Sequence, residues 1–144
     1  LDSAGEIDRK ALGALVFEDP EKLALLNSII HPVVIRAEED WFEEVSKRDP
    51  GGIAVVEAAI LIETGSYKRF DRIILTVCTR EQQIERAMKR DGLTREEVEA
   101  RLMRQMSLDE KRKYADYIVD TSGDRSATLE ETRRVYGELR RVKE

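Results

Sequence analysis

The 144-residue sequence predicts an α/β fold built on a parallel sheet. Three observations lead there. Short β-branched runs, Ile53-Ala54-Val55-Val56-Glu57, Arg72-Ile73-Ile74-Leu75-Thr76-Val77-Cys78 and Asp116-Tyr117-Ile118-Val119-Asp120, read as buried strands. Amphipathic helical patterns separate the strands, which is the order of βαβ units. A purely helical stretch, about residues 9–48, precedes them and reads as a subdomain over one end of the sheet.

Composition narrows the function classes. The length suits a single domain. Charged residues make up 38% and apolar residues 41%, which fits a modest core carrying long, wet helices. A net charge of −5 argues against a general nucleic-acid binder. No apolar run approaches the roughly 20 residues of a membrane span. One cysteine, Cys78, permits no intrachain disulfide, so a reducing cytoplasm is the expected setting. One Cys and one His make a Cys/His metal site unexpected.

Taken in order, Asp8 is an N-cap for a helix from Arg9 to Phe17. Asp19-Pro20 opens another helix, with Pro at a position whose N–H would be unpaired anyway. Leu23, Leu26, Ile29 and Ile30 give it an apolar stripe. His31-Pro32 is expected to interrupt that helix, because the residue before Pro is pushed out of helical geometry. A new helix is then expected from Pro32 to about Lys47, with Val34, Ala37, Trp41 and Val45 on one face. The single His would sit at the junction, either hydrogen-bonded there or touching a substrate. Asp49-Pro50-Gly51-Gly52 is a turn, and Thr64-Gly65-Ser66 another. Glu57 and Glu63 fall at or beyond the C-terminal end of the first strand, where open α/β sheets bind ligands. Each could still be a surface acid or a helix cap, Glu63 more so than Glu57. The last helix is expected from about Ala127 to Val142, with Leu129, Val135, Tyr136, Leu139 and Val142 on its apolar face.

Residues 79–107 read as two helices and a tight turn. The first spans about 81–90 and ends at Asp91-Gly92, Gly being the cheapest left-handed C-cap. Thr94 caps the second, with Glu97 completing a T-x-x-E box. Glu85 with Lys89 and Glu97 with Arg101 have the spacing of helix-surface pairs. Arg86 and Arg90 are also four apart, share a face and have no acid four residues before them. Stacked arginines repel unless an anion lies between them, and guanidinium presents a planar fork to phosphate oxygens. The hairpin is therefore either a solvated charged surface or a mobile carrier of arginines to a phosphate. The sequence contains no G-x-x-x-x-G-K-[ST] cradle to go with it.

As an ordered set, these motifs resemble dephospho-coenzyme A kinase, a P-loop kinase of the nucleoside-monophosphate-kinase type. The resemblance rests on Ile7-Asp8-Arg9 with Leu12 and Val16-Phe17, Leu26-Asn27 with His31-Pro32, and Leu61-Ile62-Glu63. It continues through Gln83, Arg86, Arg90-Asp91-Gly92 and Gln105 to Ala115-Asp116-Tyr117-Ile118 and Thr121-Ser122-Gly123. It implies a three-layer parallel-sheet fold with a helical coenzyme A-binding subdomain, about 9–48, and a lid, about 79–108. It implies transfer of the γ-phosphate of ATP to the 3′-hydroxyl of dephospho-coenzyme A, with Mg²⁺. Arg86 and Arg90 would meet phosphate, Arg90 as the catalytic arginine. Arg101 and Arg104 rank behind them, since Glu97 is placed to occupy Arg101. Thr121, Ser122 and Gly123 would lie near adenine. Arg9, His31, Pro32, Glu57 and Glu63 would serve the acceptor substrate.

Three departures accompany the resemblance. Ala59-Ile60-Leu61 stands where the family usually has Pro-Leu-Leu, and Thr121 where it often has Asn. The family's opening strand, G-G-x-G-x-G-K-S loop, helix and acidic second strand are not in this sequence, which begins at Leu1. The expectation is an N-terminally truncated kinase domain lacking roughly 30 residues or more. The absent strand would belong between the strands near Ile53 and Ile73, leaving unpaired backbone groups on both. Other readings are a different small-molecule P-loop kinase, which His31-Pro32 after Leu26-Asn27 disfavours, or a non-catalytic binding or scaffold protein that keeps the fold. These 144 residues alone are expected to bind no ATP tightly and to transfer no phosphate; ATP-dependent turnover by them in a kinase assay would overturn that.

Overall fold

The computed structural model describes Leu1, residues 4–17 and residues 19–141. The chain divides into two compact units, Leu1–Val55 and Val56–Glu144. The Phe17 side chain and Val142, both named above, lie outside the described residues.

The first unit is helical. Helix α1, Arg9–Phe17, starts where the Asp8 carboxylate accepts from the Ala11 amide at 2.9 Å. Among its described side chains Val16 is the buried one. Helix α2, Pro20–Arg48, is capped by Asp19, which accepts from the amides of Glu21 and Lys22 at 3.0 and 3.2 Å. The Lys22 ammonium, 3.0 Å away, and the same amides hold the Asp19 carboxyl below its ordinary range. α2 runs unbroken through His31 and Pro32 for 29 residues, contrary to the break expected there. The preference of a pre-proline residue against helical geometry is a bias, and an unbroken run of helical hydrogen bonds on both sides overrides it. Pro32 still leaves the Ser28 carbonyl without its helical donor.

Continuity also changes which face is covered. Counted without a restart, the phase set by Leu23 and Leu26 carries His31, Ile35, Phe42 and Val45 to the half-buried side. Val34 and Trp41, placed inward by a helix beginning at Pro32, are instead 46% and 42% exposed. Ile29 and Ile30, expected in the stripe, are exposed as well.

The second unit holds the sheet. Strands β1, Ile74–Val77, and β2, Tyr117–Asp120, pair in parallel with Ile74 opposite Tyr117 and Val77 opposite Asp120. Asp116 fixes this register from outside the ladder: its carboxylate accepts from the Ile73 amide at 2.7 Å, while its own amide donates to the Ile73 carbonyl at 2.9 Å. Both strands are shorter and more exposed than a fully buried reading requires. Their buried positions are Ile73 just ahead of β1, Val77 and Val119.

Residues 53–57 do not form the expected strand. They run without regular structure, and Ala54, Val55 and Glu57 are exposed. β-branched composition favours extended backbone, but a strand exists only with a ladder partner, and none of the described residues lies alongside.

Between β1 and β2 come α3, Arg80–Asp91, α4, Arg95–Leu102, and α5, Leu108–Lys111, followed by a 3₁₀ turn over Arg112–Tyr114. Gly92 ends α3 at φ 67°, in the left-handed region that favours glycine. Ile84 of α3 and Val98 of α4 are almost fully buried, and the two helices lie in contact. Helix α6, Arg125–Arg141, is capped by Asp124, whose carboxylate accepts from the Ala127 amide at 2.8 Å. Val135 is the buried residue of α6. Leu129 and Tyr136, placed on its apolar face by periodicity, are exposed.

Replacing Pro32 with Ala restores the missing donor within α2 and is expected to stabilise the first unit by up to about 3 kcal/mol. Urea denaturation followed by the fluorescence of Trp41, the sole tryptophan, measures this; an unchanged or lowered midpoint would contradict an uninterrupted α2.

Candidate functional site

The parallel register places the C-terminal ends of β1 and β2 side by side, with Cys78-Thr79 following one and Thr121-Ser122-Gly123 the other. Two cavities open there. One, about 370 Å³, is lined by Cys78, Arg80, Gln83, Gln105, Lys111 and Arg112 among others. The second, about 210 Å³, is lined by Val77, Cys78, Thr79, Arg112, Asp120 and Ser122. Cys78 and Arg112 border both.

The loop after β2 is held from α3. Thr79 and Gln82 form a capping box at the start of α3. The Gln82 side-chain amide also donates to the Ser122 carbonyl at 2.8 Å. Arg86 donates to the Thr121 hydroxyl at 3.0 Å and to the Thr121 carbonyl at 2.7 Å. The Thr121 hydroxyl and amide both donate to the Val77 carbonyl, at 3.0 and 2.7 Å. The hydroxyl and amide of Ser122 hold the Asp120 carboxyl below its usual range, the amide donating at 2.7 Å.

Arg86 and Arg90 take different partners within the chain. Arg86 reaches the loop, while Arg90 turns to Asp91, its Nε 2.7 Å from Oδ1 and a terminal nitrogen 3.0 Å from Oδ2. Arg101 approaches the same carboxylate at 3.7 Å. Arg90 foremost, with Arg101 adding charge, keeps Asp91 below the ordinary carboxylate range, and Asp91 raises Arg90 in return. Glu97 does not occupy Arg101 as its spacing suggests, because its carboxylate accepts from the Thr94 amide at 2.8 Å in the α4 capping box. Arg95 pairs with Glu81 at the start of α3 and with Glu99, tying the two helices together. Arg104 is exposed on the segment that follows α4.

Glu57 is exposed, and its charge adds to those favouring the protonated Arg90. Glu63 is largely buried and engaged within the protein. Its Oε1 lies 2.8 Å from the Lys111 ammonium and accepts from the Met106 amide at 2.9 Å. Oε2 is buried with no hydrogen-bond partner among the described residues. Lys111 also donates to the Ala59 carbonyl at 2.9 Å. That contact uses backbone, so Ala at position 59 serves it as well as Pro would. Arg9 opens α1, and His31 and Pro32 lie within α2, all in the first unit. Sequence reasoning passed over Gln82, Lys111 and Arg112. Thr79-Arg80-Glu81-Gln82 is a legible T-x-x-Q capping signature; nothing local marks Lys111 as buried.

Burial is the largest single influence on the Glu63 carboxyl and pushes its pKa up. The Lys111 ammonium and the amides that Glu63 accepts from together outweigh it, and the pKa lies below the ordinary 4.5. A depressed carboxylate stabilises the fold fully above its unfolded value, and the contribution fades as pH falls through the folded one. Glu63→Gln should therefore lower stability at neutral pH and flatten the loss of stability between about pH 5 and pH 3. Denaturant midpoints across that range measure it, and superimposable wild-type and variant profiles would refute it.

Comparison with known proteins gives this geometry its context. The family model of dephospho-CoA kinase matches residues 1–126. A dephospho-CoA kinase of Aquifex aeolicus is 40% identical over 141 residues, covering 98% of this chain and 70% of its own length. One from Rhizobium meliloti is 40% identical over 136 residues, covering 94% and 70%. Among solved structures, a Thermus thermophilus protein superposes with a TM-score of 0.74 at 35% identity, over 94% of this chain and 69% of that one. Dephospho-CoA kinase from Campylobacter jejuni superposes with a TM-score of 0.68 at 28% identity, over 100% and 71%. With the family's motifs in order along an α/β frame, the chain belongs to the dephospho-CoA kinase family.

Proposed function

We propose that this chain serves ATP-dependent phosphorylation of the 3′-hydroxyl of dephospho-CoA, with residues 79–108 as the lid that closes over the transferring phosphate. The observation that carries this reading is the family match across residues 1–126. In such a transfer the bond between the terminal phosphorus and ADP breaks as the ribose oxygen bonds to that phosphorus, and the 3′-hydroxyl proton is given up to a base. The protein contributes positioning, charge neutralisation and exclusion of water.

The residues divide by role. Arg90, with Arg101 beside it, supplies the mobile positive charge. Asp91 holds that charge in the resting lid and yields it when a more highly charged phosphate arrives. Arg104 lies further along the same lid and is a second-rank phosphate ligand. Arg86 serves the nucleotide indirectly, by fixing the Thr121-Ser122-Gly123 loop against the end of β1. Arg9, His31 and Pro32 of the first unit, and separately Glu57 of the second, are read as residues for the acceptor substrate. Mg²⁺ accompanies ATP in this chemistry. Among the described residues no three His, Cys, Asp or Glu side chains gather to hold a metal ion, so none of these roles is routed through it. Among the described residues no helix is long and apolar enough to cross a membrane. The use of ATP and the single cysteine agree with a cytoplasmic setting.

The test is phosphorylation of dephospho-CoA from labelled ATP by an enzyme carrying this segment, with the position of the new phosphate read by ³¹P NMR. Arg90→Ala is expected to lower turnover by roughly 10³-fold with the fold intact. Arg86→Ala is expected to act mainly on KM for ATP, since it loosens a loop rather than removing transition-state charge. Unaltered turnover in Arg90→Ala, or phosphate appearing elsewhere than the 3′-oxygen, would sink the reading.

A further inference from the structure

We infer that Lys111 is a positioning residue that, through Glu63, fixes the C-terminal hinge on which the hairpin of α3 and α4 turns. This rests on reading residues 79–108 as a lid. The hinge is the segment between Leu102, where α4 ends, and Leu108, where α5 begins. Within it the Met106 amide donates to Glu63 Oε1 at 2.9 Å, and the same oxygen lies 2.8 Å from the Lys111 ammonium. Lys111 spans back to the Ala59 carbonyl at 2.9 Å, 52 positions earlier in the chain. The Lys111 side chain is 9% exposed and that of Glu63 19%. Water therefore competes little for these charges.

Neighbouring contacts make the base of this arrangement rigid. The Lys111 amide donates to the Ser107 carbonyl at 3.0 Å, and Ser107 with Glu110 forms the capping box of α5. Tyr67 and Tyr114 meet edge to face at 5.2 Å and join the two flanking segments a second time. The other end of the hairpin is pinned by the Thr79 and Gln82 box and by the bond from Gln82 to Ser122. Motion is thereby confined to the part between the pins, the part that carries Arg90 and Arg101. A lid whose two hinges are fixed returns its arginines to one place, as phosphoryl transfer by positioning requires.

Amide hydrogen exchange tests the inference without substrate, so it stands or falls separately from the kinase reading. Lys111→Met should speed exchange at the Met106 amide by about tenfold or more and leave Ile84 and Val119 protected. Lys111→Arg, which keeps a charged donor, should restore much of the protection. Met106 exchange unchanged in Lys111→Met would overturn the proposal. If Lys111→Met exposes every amide, Glu63→Gln decides by the same comparison, faster exchange confined to the hinge supporting the proposal and unchanged exchange refuting it. In the phosphorylation assay Lys111→Met should lower kcat while KM for dephospho-CoA holds. A loss of activity matching only the loss of folded protein would mark Lys111 as a structural group and refute the positioning role.

Discussion

The pairing of β1 with β2 is the constraint on which the second unit depends. Four residue pairs in parallel register bring chain positions more than forty apart into line. Every functional neighbour follows from that line. The start of α3 emerges beside the loop after β2, which lets Gln82 and Arg86 reach Ser122 and Thr121. A parallel pair cannot be joined by a tight turn, so a long crossover is obligatory. This chain uses its crossover for the hairpin that bears the arginines. A shift of one residue would move Val77 and Val119 off the buried side and part α3 from its loop. Asp116, bonded to both backbone groups of Ile73, guards against such slippage.

Charge around the hairpin is arranged in layers of commitment. Arg95 is spent on structure, bridging Glu81 and Glu99. Arg86 serves as a loop support. Arg90 and Arg101 remain near the solvent with a single carboxylate between them. An exposed pair of this kind is weakly held, because water screens it. Weak holding is what the proposed exchange of Asp91 for a phosphate requires of these side chains.

What was legible in the sequence was local. Asp8, Asp19 and Thr94 cap helices through side chain-to-amide bonds two or three residues on, so residue type and spacing reveal them. Gly92 announces the end of α3 because few other residues tolerate its backbone angle. What was hidden depended on distant partners. Ile53-Ala54-Val55-Val56 has the composition of a strand, but composition cannot supply a neighbouring strand. Lys111 sits among Glu110, Arg112 and Lys113 like a surface residue, and only the arrival of Glu63 and Ala59 buries it. The continuity of α2 through Pro32 is a third kind of case, a local signal outweighed by the helix around it. The ordered resemblance identified the family, and the intrachain partners of Arg86 and Arg90, Thr121 and Asp91, were not legible in it.

The repeated capping boxes carry a consequence for how the hairpin forms. α3, α4 and α5 each begin with a hydroxyl and a Glu or Gln three residues on, bonded reciprocally. Each helix start is thus encoded within four consecutive residues and needs no distant contact. Segments of this kind sample helical turns on the microsecond scale, whereas a parallel strand pair has first to overcome the entropy of closing its long loop. Helices this short are marginal on their own, so the boxes set where each helix begins while packing on the closed strand pair is what holds it.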